Sequence, residues 1–205
     1  GKVVPKSKRK TLHEYDHHKR LIKLIAYGKD GSITSTATYT YDETGHKTGE
    51  IYRDDKGHEE GGWMYSWDDR GNMKEMRKYW PDGHPFVDVN GFPQVISEYD
   101  PQDRVVRSTQ YNSKGTLETK SLYKYDDKGR LGELIVFDSK ASVRNRDVSH
   151  YDQSDRIIEK LEYDREGSLT FRTTSTYEDD ARGNWIKKTP GRWSYYQPGE
   201  PEKLR

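Results

Sequence analysis

The chain has 205 residues, and its 36 Lys and Arg nearly cancel its 35 Asp and Glu, which leaves a net charge of +1 at pH 7. Disordered chains usually combine a large net charge with few residues that can be buried. This chain meets neither condition, because its net charge is small and its 16 Tyr and 5 Trp can be buried. No apolar run approaches the roughly 18 residues of a membrane-spanning helix. The absence of Cys excludes disulfides and thiolate metal sites. We therefore expect a folded protein with a thin core.

The first 29 residues are basic, with nine Lys or Arg against Glu14 and Asp16. Such an excess is typical of segments attracted to nucleic acid or to anionic lipid. Residues 6–10, however, contain no interleaved aromatic residue and precede the repeating region. We therefore expect residues 1–12 to be a basic flexible leader, and we do not expect nucleic acid as the partner.

An aromatic residue, usually followed by Asp and with Gly or another small or polar residue four positions after it, recurs along the chain. The spacing alternates between 12 and 14 residues, so the true repeat has 26 residues, with insertions after Tyr79 and Tyr163. A fixed period of this length is typical of a tandem-repeat architecture. The thirteen register positions are Tyr15, Tyr27, Tyr41, Arg53, Trp67, Tyr79, Tyr99, Tyr111, Tyr125, Phe137, Tyr151, Tyr163 and Asp179.

Each unit combines turn chemistry with a period of two residues. In YDDKG at residues 125–129, Asp can accept hydrogen bonds from backbone N–H groups ahead of it, and Gly accepts a positive φ. In residues 117–125 a drier face alternates with a more polar one, which predicts a strand. Because the connections are too short for crossover helices, successive strands are expected to pair antiparallel, with Tyr125 facing Leu131 across the hairpin. Odd and even turns then lie on opposite edges of the sheet.

These patterns predict an all-β protein, a tandem-repeat antiparallel meander of about 13–14 strands. An open twisted sheet rarely exceeds about 10 strands without curling, so we expect a curled sheet, a half-shell or a barrel-like form. A flat single-layer sheet is the alternative. We expect one repeat domain at residues 13–189, with an insertion at residues 80–95, and a C-terminal cap or tail at residues 190–205. In that tail, Trp193, Tyr195 and Tyr196 are expected to cover the last strand, since an open edge invites aggregation.

Three units resemble the YD repeat of the Rhs family, which is also seen in teneurins and insecticidal toxin complexes. They are YTYDETGHK at residues 39–47, YKYDDKGRL at residues 123–131 and YDREGSL at residues 163–169. The resemblance covers roughly residues 15–189. It implies a β-sheet that spirals into a hollow shell, which in larger members encloses a toxin domain or is presented at a cell surface.

The chain also departs from that pattern. Asp103, Ala141 and Asp155 stand where Gly is usual, and Arg53 and Asp179 replace the aromatic residue. We expect no self-cleaving core segment or toxin domain after the repeats, and about thirteen strands are too few to enclose a folded domain. The resemblance therefore implies a small stand-alone repeat protein, of a type that bacteria often export, and not an encapsulating shell.

We find no catalytic motif and predict no catalytic residue, metal site or cofactor. The paired carboxylates lie in turn positions, where hydrogen bonding to the backbone explains Asp. A turn Gly directly precedes each of His46, His58 and His84. His46 is expected on the opposite edge of the sheet from the other two. His58 and His84 are expected two strands apart, about 9.5 Å, which is too far for shared zinc ligation. The carboxylate pairs are Asp54–Asp55, Asp68–Asp69, Asp126–Asp127 and Asp179–Asp180.

Seven aromatic residues are the candidate binding residues. Trp80, Phe86 and Phe92 lie in the insertion, which is either a recognition loop or a plug that folds over the open face of the sheet. The others are expected to form an aromatic platform for sugar rings or for a partner, or else to be buried. These are Trp63, Tyr65 and Trp67, which share one parity in a single strand, and Tyr79 on the neighbouring strand.

We therefore expect a non-catalytic repeat scaffold that binds protein or carbohydrate through its concave face or its insertion rim. An exported location, periplasmic, cell-surface or secreted, is favoured. One alternative is an enzyme that acts on polysaccharide with the turn carboxylates, which requires a convergent pair of carboxylates within about 5–10 Å. Another is a binder of nucleic acid or of an anionic surface through the basic N-terminus.

Overall fold

The computed structural model describes residues 10–86 and 93–195 and the backbone of residues 201–204. All of the regular structure in these residues is β, and none of it is a helix that could cross a bilayer. The strands are β1 (Lys10–Tyr15), β2 (Leu21–Tyr27), β3 (Ile33–Tyr41), β4 (Lys47–Arg53), β5 (Glu59–Trp67), β6 (Met73–Tyr79), β7 (Gln94–Tyr99), β8 (Val105–Tyr111), β9 (Leu117–Tyr125), β10 (Leu131–Phe137), β11 (Val143–Tyr151), β12 (Ile157–Tyr163), β13 (Leu169–Asp179), β14 (Trp185–Tyr195) and β15 (Pro201–Leu204).

The strands form one sheet in which their order follows the chain from β1 to β15. Consecutive strands pair antiparallel from β1 to β7 and from β9 to β15. The predicted antiparallel meander is therefore confirmed. Among the residues that the structure describes, β1 and β15 are the end strands of this order, so the described strands do not close into a barrel.

The chain divides into two compact units. The first contains the described residues up to Ser97 together with Gln110–Thr116, and β1 to β6 lie in it. The second contains Glu98–Thr109 and the described residues from Leu117 onward, and β9 to β15 lie in it.

The thirteen predicted register positions are the last residues of β1 to β13. Across the hairpins, Tyr125 pairs with Leu131 as predicted, and Tyr151 pairs with Ile157. The sheet also extends past the last register position. β14 pairs with β13 from Trp185 to Ser194 and contains Trp193 and Tyr195, while Tyr196 lies outside the described residues.

In ten of the thirteen turns, the first residue after the register position is an Asp that accepts backbone hydrogen bonds, and in the turn after Tyr111 it is Asn112. In the turn after β9, Oδ1 of Asp126 accepts the backbone N–H groups of Lys128 at 3.0 Å and Arg130 at 2.9 Å. The N–H of Asp126 donates to the carbonyl of Arg130 at 2.9 Å, and the N–H of Gly129 donates to the carbonyl of Asp126 at 2.8 Å. These bonds use the donors that a tight reversal would otherwise leave unpaired.

The fourth residue after the register position has a positive φ in all thirteen turns. A positive φ destabilises a residue that has a Cβ by roughly 1–2 kcal/mol, which explains why Gly is usual at this position. The non-Gly residues adopt it as well, so the turn geometry overrides the identity of the residue. They are Lys19 (φ 62°), Asp103 (φ 61°), Ala141 (φ 58°) and Asp155 (φ 60°).

A recurring contact, which we term the rim stack, joins successive 26-residue repeats at one edge of each unit. The hydroxyl of Tyr125 donates to the carbonyl of Val105 at 2.9 Å, and the guanidinium carbon of Arg104 lies 4.5 Å from the centre of the Tyr125 ring. Arg104 also donates to Asp100 of its own turn at 2.7 Å. The same arrangement recurs at Arg20 with Tyr41, Arg130 with Tyr151 and Arg156 with Tyr177.

The interior is thin because each unit is a single layer of strands. Ile25 and Ala37 are the buried hydrophobic residues among those that the structure describes, at 7% and 6% exposure. Cation–π contacts and hydrogen bonds such as those of the rim stack contribute roughly 0.5–1.5 kcal/mol each. Their repetition along the edge therefore supplies cohesion that a two-layered protein would obtain from its core.

The positive φ of the turns gives a stability prediction. Gly115 has a φ of 71° and no atom within 4 Å of a Cβ built there, so Gly115→Ala adds backbone strain without a clash. We expect it to lower the free energy of unfolding by about 1–2 kcal/mol. Gly132→Ala in β10 is the control, because its Cβ would contact the Lys124 carbonyl at an ordinary 3.7 Å. This change should leave stability unchanged or raise it by about 0.5–1 kcal/mol. Urea denaturation measures the free energy of unfolding of both variants. An equal change in the two variants would contradict the prediction.

Candidate functional site

The aromatic residues of β5 lie on one face of the first unit. Trp63, Tyr65 and Trp67 are half-buried, whereas Met64 and Ser66 between them are exposed. This alternation follows from the period of two along a strand, which places every second side chain on the same face. The sequence-based assignment of one parity to these three residues therefore agrees with their burial.

Strand register determines which neighbours share that face. Trp63 pairs with Glu50 of β4 on one side and with Lys78 of β6 on the other. Tyr79 instead pairs with Gly62, and its hydroxyl oxygen lies 2.9 Å from the position of a Cβ on Gly62. Because Gly62 and Trp63 are adjacent in the strand, Tyr79 lies on the opposite face. The structure thus does not bring Tyr79 together with the β5 aromatics.

Two of the β5 aromatics form a parallel pair. The ring centres of Trp63 and Tyr65 are 6.5 Å apart, and their planes differ by 14°. Trp67 lies instead at the end of β5, at one edge of the sheet. Its ring stacks on His46 at 4.9 Å between ring centres, and its indole N–H donates to the carbonyl of Lys47 at 2.8 Å. The platform predicted from sequence is therefore reduced to Trp63 and Tyr65.

The first half of the insertion reaches the same face. The backbone N–H of Phe86 donates to the carbonyl of Lys78 at 3.1 Å, so the insertion returns alongside β6. The ring of Phe86 lies 4.2 Å from that of Trp80, centre to centre. The ammonium of Lys78 lies 3.5 Å from the centre of the Phe86 ring and 5.7 Å from that of Trp63. Lys78 thereby connects the insertion to the β5 aromatics, while Phe92 lies outside the described residues.

Glu50, which sequence reasoning missed, is the buried carboxylate of this face, at 8% exposure. The hydroxyl of Tyr65 donates to its Oε1 at 2.5 Å, and the ammonium of Lys47 donates to its Oε2 at 3.2 Å. The Lys47 ammonium also lies 4.7 Å from the centre of the Tyr65 ring. The signal available in the sequence was a charged residue at a drier position of a strand, where a buried charge requires partners.

Burial, together with the Glu50 charge, perturbs the phenols around it. Burial and the nearby carboxylate raise the pKa of Tyr52 to about 12. Burial first, and then the hydrogen bond to Glu50, raises the pKa of Tyr65 well above its ordinary value. Both phenols are thus neutral hydrogen-bond donors at physiological pH, which suits binding and not nucleophilic or base chemistry.

The turn carboxylates are engaged in their own turns. The hydrogen bond from the Asn72 backbone lowers the pKa of the Asp68 carboxyl, and the hydrogen bond from the Arg130 side chain lowers that of Asp126. Asp54 and Asp68 follow consecutive strands and therefore lie at opposite edges of the first unit. By contrast, Asp42, Asp68 and Asp69 line one pocket at the same edge, so the structure does not disperse all of the turn carboxylates.

The structure places His46 after β3, whereas His58 follows β4 and His84 follows β6, so His46 lies at the opposite edge from the other two. Within residues 10–86 and 93–195, no group of three or more His, Cys, Asp or Glu is arranged to hold a metal ion. Of the basic N-terminal region, residues 1–9 lie outside the described part of the chain. Lys10 belongs to β1, where its ammonium lies 5.6 Å from the centre of the Tyr27 ring.

Comparison with known proteins finds no family model and no curated protein that matches the chain. Solved structures do match the chain, at low identity. The chain is similar to the Tc holotoxin pore of Photorhabdus luminescens, with 11% identity, a TM-score of 0.39, and coverage of 94% of this chain and 15% of that one. It is also similar to a porin-like protein from Bacteroides uniformis, with 12% identity, a TM-score of 0.43, and coverage of 89% and 85%.

A third match is the TcdB2–TccC3–Cdc42 structure, with 11% identity, a TM-score of 0.31, and coverage of 92% of this chain and 13% of that one. The chain thus spans only a small part of the toxin chains that it matches. At these values of identity and TM-score, the likeness assigns neither a family nor a function to this chain.

The perturbed phenols predict a pH dependence. Below pH about 10 both states of the chain keep their phenols protonated, but above it the unfolded state loses these protons first, because the pKa values of Tyr52 and Tyr65 are raised in the folded state. The free energy of unfolding should therefore fall as the pH rises above about 10. Chemical denaturation at several pH values measures this.

Replacing Glu50 tests whether its carboxylate raises the pKa of Tyr52. Glu50→Gln should lower the pKa of Tyr52 from about 12 towards its ordinary value of 10.0, as measured by tyrosinate absorbance. Glu60→Gln, at an exposed position of β5, is the control and should leave the titration unchanged. Identical titration curves for the two variants would show that the Glu50 charge plays no part.

Proposed function

We propose that the chain is a non-catalytic β scaffold that binds carbohydrate through one face of its first unit. We term the site the aromatic face and define it as Trp63, Tyr65, Lys78, Trp80 and Phe86. The observation that carries the proposal is the parallel, half-exposed pair of Trp63 and Tyr65 on a single-layer sheet, with an angle of 14° between the ring planes. Aromatic rings in such an arrangement offer flat apolar surfaces with polar groups at their margins.

Carbohydrate fits this surface better than a protein partner does. Sugar rings present flat C–H faces that stack on aromatic rings, and their hydroxyls bond to groups at the margin such as the phenol of Tyr52, which is 37% exposed. Protein interfaces depend on a few anchors that fill well-packed pockets, whereas the aromatic face is shallow and continuous with the sheet. The Glu50–Lys47 pair holds Tyr65 in place from the β4 side, so the surface is preorganised.

An exported location belongs to the same proposal. It is supported by the resemblance of the repeat units at residues 39–47, 123–131 and 163–169 to repeats of exported and surface-presented proteins. Fractionation of the native cells tests it, and recovery of the mature protein from the cytosol alone would contradict it.

Glycan-array binding followed by affinity measurement tests the function. Trp63→Ala should weaken binding of the best glycan by about tenfold or more, which corresponds to roughly 1.4 kcal/mol of lost stacking. Met64→Ala is the matched control, because Met64 is adjacent, 48% exposed and on the opposite face. It should bind within about twofold of the unchanged chain. Circular dichroism of both variants verifies that the fold is retained, and equal binding by both would contradict the site.

A deletion within the insertion tests what Phe86 contributes to the aromatic face. Removal of residues 84–92 eliminates Phe86 and its contact with Lys78, so binding should fall while the Trp63–Tyr65 pair remains. A pull-down with the same variants tests the protein-partner alternative. A partner protein captured by the unchanged chain and by the Trp63→Ala variant alike would place recognition elsewhere.

A further inference from the structure

His46 lies at a position of the turn that Arg usually occupies. The position is the fifth after the register residue, and in the seven turns that follow odd-numbered strands it holds Arg four times, Asn twice and His once. His46 thus replaces a permanent cation with a side chain that gains and loses its proton near neutral pH. The four Arg are the cations of the rim stack, Arg20, Arg104, Arg130 and Arg156.

The contacts of His46 reproduce the rim stack. Its ring lies on that of Trp67, with 4.9 Å between ring centres and 21° between the planes. The indole N–H of Trp67 donates to the carbonyl of Lys47 at 2.8 Å, as the Tyr hydroxyl of a rim stack donates to the carbonyl of the residue after Arg. The carboxylate of Asp42, the first residue of its own turn, lies 3.4 Å from Nδ1. The link between the two turns therefore differs from the rim stacks in the identity of the cation and of the ring.

The proton that His46 gains and loses is the one on Nε2. Thr44 donates its hydroxyl hydrogen to Oδ1 of Asp42 at 2.7 Å, so its oxygen accepts the N–H of Nδ1 at 2.8 Å. Nδ1 thus carries a hydrogen in both protonation states. Nε2 faces Gly71 of the turn after β5, where the absence of a Cβ leaves room for this end of the ring. An imidazolium therefore forms without breaking the hydrogen bond to Thr44.

Carboxylates of two turns surround the imidazole. Those of Asp42, Asp68 and Asp69 line one pocket with it. Hydrogen bonds, first that from the Thr44 hydroxyl, lower the pKa of the Asp42 carboxyl. The pKa of Asp68 is lowered in the same direction, first by a backbone hydrogen bond. Both carboxyls are therefore ionised throughout the range in which His titrates.

The nearby cations are held by other groups. Arg20, in the turn after β1, donates to the Asp16 carboxylate at 2.7 Å and to a backbone carbonyl of the His46 turn at 3.3 Å. Arg70, in the turn after β5, pairs with Asp68 at 3.7 Å. The ammonium of Lys47 is held on the aromatic face by the buried carboxylate described above. An imidazolium at this place is therefore balanced by carboxylates on both of the turns that it joins.

We infer that His46 and Trp67 form a pH-sensitive link, which holds the turns after β3 and β5 of the first unit together when His46 is protonated and loosens when it is neutral. A protonated imidazole attracts both the Trp67 ring and the Asp42 carboxylate, whereas a neutral one keeps the ring contact and the bond to Thr44 without that attraction. The rim stacks built on Arg keep their charge at every pH at which the protein is folded. The inference does not depend on the proposed function.

The sign of the effect follows from which form the folded state favours. The contacts of His46 favour its charged form, so their stabilisation is fully present at acidic pH. It is lost as the pH rises through the range in which His side chains lose their proton, about pH 5–8. The first unit should thus be held together more firmly in acid than at neutral pH.

His46→Arg is the decisive variant, because it restores the residue of the other rim stacks. Urea denaturation at about pH 5.5 and pH 8 gives the equilibrium constant for unfolding on either side of the His titration. Between these values the constant should rise about two- to fivefold more in the unchanged chain than in His46→Arg, the effect of one partly exposed cation–π contact. His46→Gln should lack this extra rise as well, because it is neutral at both pH values.

His58→Arg is the matched control. His58 occupies the same position in the turn after β4 and lies 3.2 Å from the Asp54 carboxylate, but its side chain is 75% exposed, compared with 35% for His46. The described part of the chain places no aromatic ring against it. This variant should therefore keep the pH dependence of the unchanged chain. Arg104→His, which turns an Arg stack of the second unit into a His stack, should add a further pH-dependent rise.

NMR locates the effect within the first unit. Hydrogen exchange of the Trp67 indole N–H, corrected for its intrinsic rate, should lose protection over the same pH range in the unchanged chain and not in His46→Arg. The indole of Trp185, whose side chain lies in the second unit and is 60% exposed, is the internal reference. An equal pH dependence of stability in the unchanged chain and in His46→Arg would overturn the inference. So would a pH dependence that His46→Arg removes while the protection of the Trp67 indole stays constant, since the proton would then act through another contact.

Discussion

The five-residue turn is the constraint on which the architecture depends. Every turn has a positive φ at its fourth residue, and eleven of the thirteen also have a side-chain acceptor at the first, as at Asp126 and Gly129. Both requirements are local, so the chain reverses at regular intervals whatever the strands contain. The strand positions are therefore free to carry polar, small or aromatic residues, provided that the edges of the sheet hold together. The rim stack of Arg104 with Tyr125 meets that condition at an edge.

A single layer also explains why the aromatic face is available for binding. In a two-layered protein Trp63 and Tyr65 would be covered by a second sheet or a helix, since apolar faces are normally buried by packing. Here the same residues are only half-buried. The buried Glu50 orients Tyr65 and is itself satisfied by Lys47, so a polar network takes the place of an apolar core beneath the site.

The sequence was sufficient for features that depend on neighbouring residues and insufficient for those that depend on register. Strand ends and turns were predictable because Asp and Gly act within five residues of each other. The face on which Tyr79 lies could not be predicted, because a bulge between Ser66 and Trp67 sets the pairing of β5 with β6. A shift of one residue in that pairing exchanges the two faces of a strand. The contact of Lys78 with Phe86 was equally inaccessible, since it arises from the path of an insertion that departs from the repeat.

The order of the strands determines how the protein tolerates the gain or loss of a repeat. In the part of the chain that the structure describes, each strand is bonded only to its predecessor and successor, so local contacts dominate and the cost of closing long loops is avoided. Stability then accumulates from one hairpin to the next, approximately as a sum of neighbouring terms. Duplication or loss of a 26-residue repeat would alter the length of this protein without disturbing the rest, a route by which such a chain can grow or shrink during evolution.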